Sequence, residues 1–212
     1  WRIDLKSGEV IKMVEKGSLS PFKSATHFML CPTNPDIVFF AHEGDTTYIT
    51  NRLLIAQKGE EPYNVAPQRL DENGNLIDCF GHESWAPDGK GLYFVKYSCS
   101  PEPPCGVGYV DLKSRNPEIL YSKHKYWHVC AAPNGKYLAA DLAPEESNED
   151  GVEKSGICLI NLENNTEKII AHVKNHKHHP GHPHPQFNPS CTRVCFHDVI
   201  DKDAVSVGIT DI

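Results

Sequence analysis

No apolar run in these 212 residues approaches the ~18 needed to cross a membrane as a helix, so no membrane partner is expected. No stretch sustains a helical period in its apolar residues, which excludes long amphipathic helices. Basic residues are in deficit: 21 Lys and Arg face 28 Asp and Glu, a formal charge of −7. That balance argues against nucleic acid as the main partner. An acidic chain that binds an acidic ligand must do so through a local cationic site. Despite eight cysteines there is no Cys-x-x-Cys motif and no dense framework. Cys31, Cys130, Cys158, Cys191 and Cys195 lie in or beside strand-like runs, where a free Cys is a small core residue. Cys99 and Cys105 flank a Pro-rich loop that a short disulfide can close, and the count alone leaves that pairing and the redox compartment open. The given sequence opens without Met, and no leader is expected within it. The chain opens at Trp1 inside a strand-like stretch and reads as a piece of a longer protein. A cytoplasmic location is expected, with a periplasmic or secreted one left open.

What the sequence does have is short strands and turns. Ile37–Ala41, Gly91–Tyr97, Tyr137–Leu142 and Ile157–Leu162 are apolar runs separated by Asn-Gly, Asp-Gly and Pro-rich turns. Four segments share one layout: His27-Phe-Met-Leu-Cys-Pro32, His82-Glu-Ser-Trp-Ala-Pro87, His128-Val-Cys-Ala-Ala-Pro133 and His184-Pro-Gln-Phe-Asn-Pro189. In each, a His stands five residues before a Pro, a turn follows, and an apolar strand comes next. The His-to-His spacings are 55, 46 and 56 residues. Gly108-Tyr-Val-Asp-Leu112 and Cys158-Leu-Ile-Asn-Leu162 close two repeats, and Trp1-Arg-Ile-Asp-Leu5 looks like the close of an earlier one. Short strands at this period are the mark of β-propeller blades. The expected fold is all-β, four to five blades of a seven-bladed propeller forming one partial domain, with repeats near 22–75, 76–122, 123–175 and 176–212. A His at the same place in every innermost strand puts four imidazoles around one rim of one channel.

Chemistry concentrates between His176 and Phe187, which holds five of the twelve histidines, at 176, 178, 179, 182 and 184. Imidazole is the commonest transition-metal ligand, and short His-rich tracts read as metal sites. Pro183 pushes His182 toward an extended conformation. Period-two alternation then puts His182 and His184 on one side, about 7 Å apart at their roots. Among the insertions, 143–156 is an acidic surface loop. Arg69 reads as a solvated ion-pair partner, whereas Arg52 begins the apolar strand Arg52-Leu-Leu-Ile55 and is fixed by it.

On these residues the chain resembles the oligogalacturonate lyases, seven-bladed propellers that degrade short pectin fragments by β-elimination. The likeness rests on His27–Gly44, Arg52–Ile55, Gly81-His-Glu-Ser-Trp-Ala-Pro-Asp-Gly-Lys90 and the His182-Pro-His184 pair, and covers essentially the whole chain as the C-terminal half of such an enzyme. The resemblance implies a manganese ion held by His128 and by the pair His182 and His184. It implies His82 as the base and Arg52 beside it; His27 and His42 are expected at the substrate. Where the family has a Gln three residues before the His pair, this chain has His179. An imidazole can ligate there, giving an all-nitrogen site that shifts preference toward zinc or nickel.

The resemblance thus implies a metal-dependent lyase for oligogalacturonides or related uronides. The metal sits on the uronate carboxylate while a neutral His removes the C5 proton. It further implies that His82 stands near the metal without ligating it, with a sugar's width between them. A propeller that only binds sugars or proteins, with its His ring structural, is the alternative, and a metal-dependent hydrolase or isomerase is a second.

Overall fold

The structure, a computed structural model, describes residues 1–14, 24–43, 49–143, 152–176, 181–201 and 204–212. Among these residues there is no helix, and every sheet is antiparallel. β1 (Arg2–Ile3) and β2 (Val10–Ile11) form a two-stranded pair. The first full blade runs β3 (Ser24–Leu30), β4 (Ile37–Glu43), β5 (Leu53–Gln57) and β6 (Tyr63–Asn64). The second runs β7 (Phe80–Trp85), β8 (Gly91–Lys96), β9 (Gly106–Asp111) and β10 (Glu118–Tyr121). The third runs β11 (Tyr126–Ala131), β12 (Tyr137–Leu142), β13 (Val152–Asn161) and β14 (Thr166–His176). The last has three strands, β15 (Gln186–Phe187), β16 (Arg193–Asp201) and β17 (Ala204–Asp211). Strand order follows chain order in every blade, and the blades are arranged radially as in a β-propeller.

Turn chemistry explains the recurrence. The residue before each repeat proline donates its N–H across the turn: Cys31 to Ile37 O, Ala86 to Gly91 O, Ala132 to Tyr137 O and Asn188 to Arg193 O, at 2.9–3.0 Å. Each following proline lacks an N–H at a place where the turn needs none. Gly89 and Gly135 take φ of 69° and 71°, which a residue with a Cβ adopts only at a cost. At the outer hairpins an Asx cap repeats. Asp4, Asp111 and Asn161 each accept backbone N–H groups two and three residues on. The opening segment therefore does close a hairpin in the manner of the later blades.

The core lies between blades, not within them. In β12, Leu138 and Ala140 pack with Val95, Val107 and Tyr126 on the side of the second blade, while Ala139 joins Val194 and Phe196 of the last. In β13, Cys158 and Ile160 face the first group and Ile157 the second. A strand's period-two alternation thus serves two neighbours at once. Each fully buried Leu or Ile there stabilises by roughly 1.5–3 kcal/mol. Trp85 packs in the seam between the first two blades and donates its indole N–H to Met29 O at 3.1 Å.

All eight cysteines are free thiols, so no Cys99–Cys105 disulfide closes the Pro-rich loop. Cys105 instead points its sulfur at the carbonyls of Ser100 and Glu102, each 3.9 Å away. His176 is the last residue of β14, paired with Val152, so the His-rich tract begins inside a blade. Most of the acidic insertion, and with it His178 and His179, lies outside the described residues.

Candidate active site and metal centre

The four repeat histidines meet. Ring centroids are 6.0 Å apart for His27 and His82, 3.8 Å for His82 and His128, and 3.7 Å for His128 and His184. Their backbones show how. β3 shifts register between Thr26 and Met29, β7 between Gly81 and Ser84, and β11 between Tyr126 and His128. His27 and His82 sit in these shifts with φ of 52° and 48°, and His184 takes 45° just before β15. A left-handed φ is uncommon for a residue with a Cβ, though His tolerates it better than most. A β-bulge of this kind re-aims a side chain out of the sheet's alternation.

His182 and His184 do come together, but not along the extended strand that the sequence suggests. Residues 181–185 form no strand, and the left-handed His184 breaks the extended path. The two rings lie 5.9 Å apart across a turn that Pro183 helps set. One donor atom from each of His128, His182 and His184 falls within 4.8 Å of the others, a group small enough to share one ion. His182 also leans on Trp127, ring centroids 5.0 Å apart.

Asp141 on β12 organises this group. Its Oδ2 accepts the Nδ1–H of His128 at 2.7 Å and the backbone N–H of His184 at 3.2 Å, while Oδ1 accepts the backbone N–H of His128 at 2.6 Å. One carboxylate therefore ties a β11 ligand to a ligand of the next blade. Donating Nδ1–H leaves Nε2 of His128 as the nitrogen with a lone pair, the arrangement that carboxylates impose on metal-binding imidazoles. Complete burial pushes Asp141 up to about 7, opposed by the His128 N–H. Three imidazoles backed by a buried carboxylate fit a divalent transition metal. His179, the expected fourth ligand, lies outside the described residues.

His82 is not in that group of three. Its Nδ1 faces the carbonyl of Trp127 at 2.8 Å, so that nitrogen carries the hydrogen and Nε2 the lone pair. The Tyr97 oxygen, 2.7 Å from the same Nδ1, accepts a share of it. Burial, then the neighbouring His128, lower the His82 pKa to about 2, so its ring stays neutral. The rings of His82 and His128 touch, their centroids 3.8 Å apart.

Arg52 is only 13% exposed and works between two carboxylates, Nη2 2.8 Å from Glu43 and Nε 3.4 Å from Glu83. Burial works against its charge, but Glu83 and Glu43 raise its pKa above the ordinary arginine value. Glu83, fully buried, also meets Nδ1 of His27 at 3.2 Å, and that bond raises the His27 pKa despite partial burial. His42 is buried and lines a cavity of about 280 Å³ together with Arg52, Gln68, Tyr97 and Cys79. Arg69 pairs with Asp78 at 2.7 Å and Glu102 at 3.1 Å, a surface partner as its sequence context suggests.

Asp141, Glu83 and Tyr97 are the residues that sequence reasoning missed. A signal existed for the first, since an Asp inside Leu138-Ala-Ala-Asp-Leu142 must be buried and needs partners.

No protein-family model matches the chain. It is 24% identical over 221 residues to an oligogalacturonate lyase of Dickeya dadantii, covering 94% of this chain and 52% of that protein. An oligogalacturonide lyase of Pectobacterium atrosepticum is likewise 24% identical over 212 residues, with 94% and 52% covered. Among solved structures, an oligogalacturonate lyase in complex with manganese superposes with a TM-score of 0.76 at 21% identity, over 99% of this chain and 53% of that one. The chain spans about half the length of the curated relatives it matches. Along nearly its whole length, by sequence and by a shared propeller fold, this chain resembles the oligogalacturonate lyases.

Proposed function

We propose that the protein to which this chain belongs is a metal-dependent lyase that cleaves oligogalacturonides, or related uronides, by β-elimination. The observation that carries this reading is the division of labour among the ring histidines. Three offer donors to a common point, and the fourth, His82, is held neutral beside them. His128, His182 and His184 would hold the ion, and a manganese complex of a structural relative supports manganese as that ion. When bound, such an ion supplies Lewis-acid neutralisation of a uronate carboxylate.

The remaining work falls to the chain. His82 takes the C5 proton at Nε2, because Nδ1 is committed to Trp127 O and Tyr97 fixes the ring edge-on. An incoming carboxylate opposes the desolvation that depresses its pKa, bringing it back toward the range where a base is effective. Arg52, held charged by Glu43 and Glu83, attracts and orients the acidic sugar. His27 and His42 flank that arginine on the exposed and buried sides and complete the substrate wall.

The test is direct. Elimination leaves a carbon–carbon double bond conjugated to the carboxyl group, which absorbs in the ultraviolet. The full-length protein incubated with oligogalacturonate should build that absorbance, and a chelator should stop it. Tight binding of the sugar without any absorbance gain would instead support the non-catalytic module.

A further inference from the structure

A second group of metal donors lies away from the histidine ring, in the seam between the second and third blades. His124 stands in the link from β10 to β11, Cys158 is on the face of β13 turned toward the second blade, and Glu167 is on β14. One donor atom from each falls within 4.8 Å of the others. We infer that His124, Cys158 and Glu167 form a site for a thiophilic divalent cation of the zinc class, which pins the link between these blades.

Lys123 acts on Cys158 from nearby, but among the described residues the carboxylate of the group has no Lys or Arg partner of its own. The Glu167 side chain is only 10% exposed. Its polar neighbours are the Tyr126 hydroxyl, donating to Oε2 at 2.8 Å, and His124 Nε2 at 3.9 Å, too long for a hydrogen bond. A nearly buried carboxylate is costly without a cation. Tyr126 engages one oxygen, and the carboxylate has a second to offer a metal. Burial, reinforced by Glu167, pushes the Cys158 thiol up to about 12, so it is not a free nucleophile, and a bound cation would displace its proton. Sulfur, imidazole nitrogen and carboxylate oxygen together suit zinc, whereas hard cations such as magnesium avoid thiolate. His124 is half-buried and lines a cavity of about 280 Å³, while Cys158 and Glu167 lie outside its lining.

The site is distinguishable from the histidine ring because only it contains sulfur. Chelator-treated full chain should be titrated with cadmium, following the ultraviolet charge-transfer band of a cadmium–thiolate bond. The band should saturate at stoichiometric cadmium and persist in His182→Ala. It should vanish in Cys158→Ser, and Glu167→Gln should weaken cadmium binding by at least about tenfold. In the His182→Ala background, zinc should raise the thermal midpoint. Absence of the band in the folded wild type, or its survival in Cys158→Ser, overturns the site. Unchanged affinity in Glu167→Gln overturns the ligand set.

Discussion

In the first blade the ring histidine His27 meets Glu83, a carboxylate shared with Arg52; in the last two, His128 and His184 meet each other over one buried aspartate. His27 and His82 make the contrast sharpest. They occupy the same repeat position, share a left-handed backbone and stack at 6.0 Å. Yet Glu83 raises the pKa of one, while burial and His128 lower that of the other to about 2. The same residue in the same local fold thus becomes a proton-holding surface group or a neutral buried one. Its neighbours on the adjacent blades decide which.

The largest effect should come from breaking the buried half. His182→Ala removes one of three clustered donors, and metal uptake measured by elemental analysis should be lost, with elimination lost alongside it. Next is His82→Ala, which should keep metal and fold but lower the elimination rate by roughly 10²–10⁴-fold. Full turnover in that variant would pass the role of base to another residue. Asp141→Asn comes third. It keeps the shape but loses the charged acceptor for His128 Nδ1, so metal affinity should fall by about 10–100-fold in a competition assay. An unchanged affinity would make Asp141 a purely structural residue.

The smallest effect sharpens the comparison within the charged half. His27 has a raised pKa, so its pairing with Glu83 stabilises the fold fully below the unfolded value of 6.5 and ceases as pH rises through the folded value. His82 runs the other way: its depressed pKa makes folding more favourable above 6.5 and weaker as pH falls toward 2. In an NMR titration between about pH 5 and 8, the metal-free protein should show His27 titrating above 6.5 and His82 silent. Glu83→Gln should lower the His27 midpoint and leave His82 neutral.

Much of the fold was legible in single residues. Pro87-Asp-Gly89 and Pro133-Asn-Gly135 announce the turn between the first two strands of a blade. The His standing five residues before each Pro then gives the repeat, and hence a ring. His128 and His184 were placed on one rim by their repeat positions, whereas their grouping with His182 as ligands came from the family resemblance. The turn that joins His182 to His184 was not legible, because period-two logic assumes a strand that His184's left-handed φ interrupts. Glu83 was hidden for a related reason. Its partners, Arg52 and His27, are 31 and 56 residues away and belong to another blade.

By itself, then, the sequence determined the local events: short alternating strands, proline-initiated turns, an Asx cap at three hairpins and a histidine at the same step of each blade. These depend on contacts a few residues apart, which composition and spacing encode. Tertiary structure alone decided which histidine is neutral, which carboxylate is buried and what holds each ring. Those properties arise where one blade meets the next, where desolvation and charge come from residues distant in the chain.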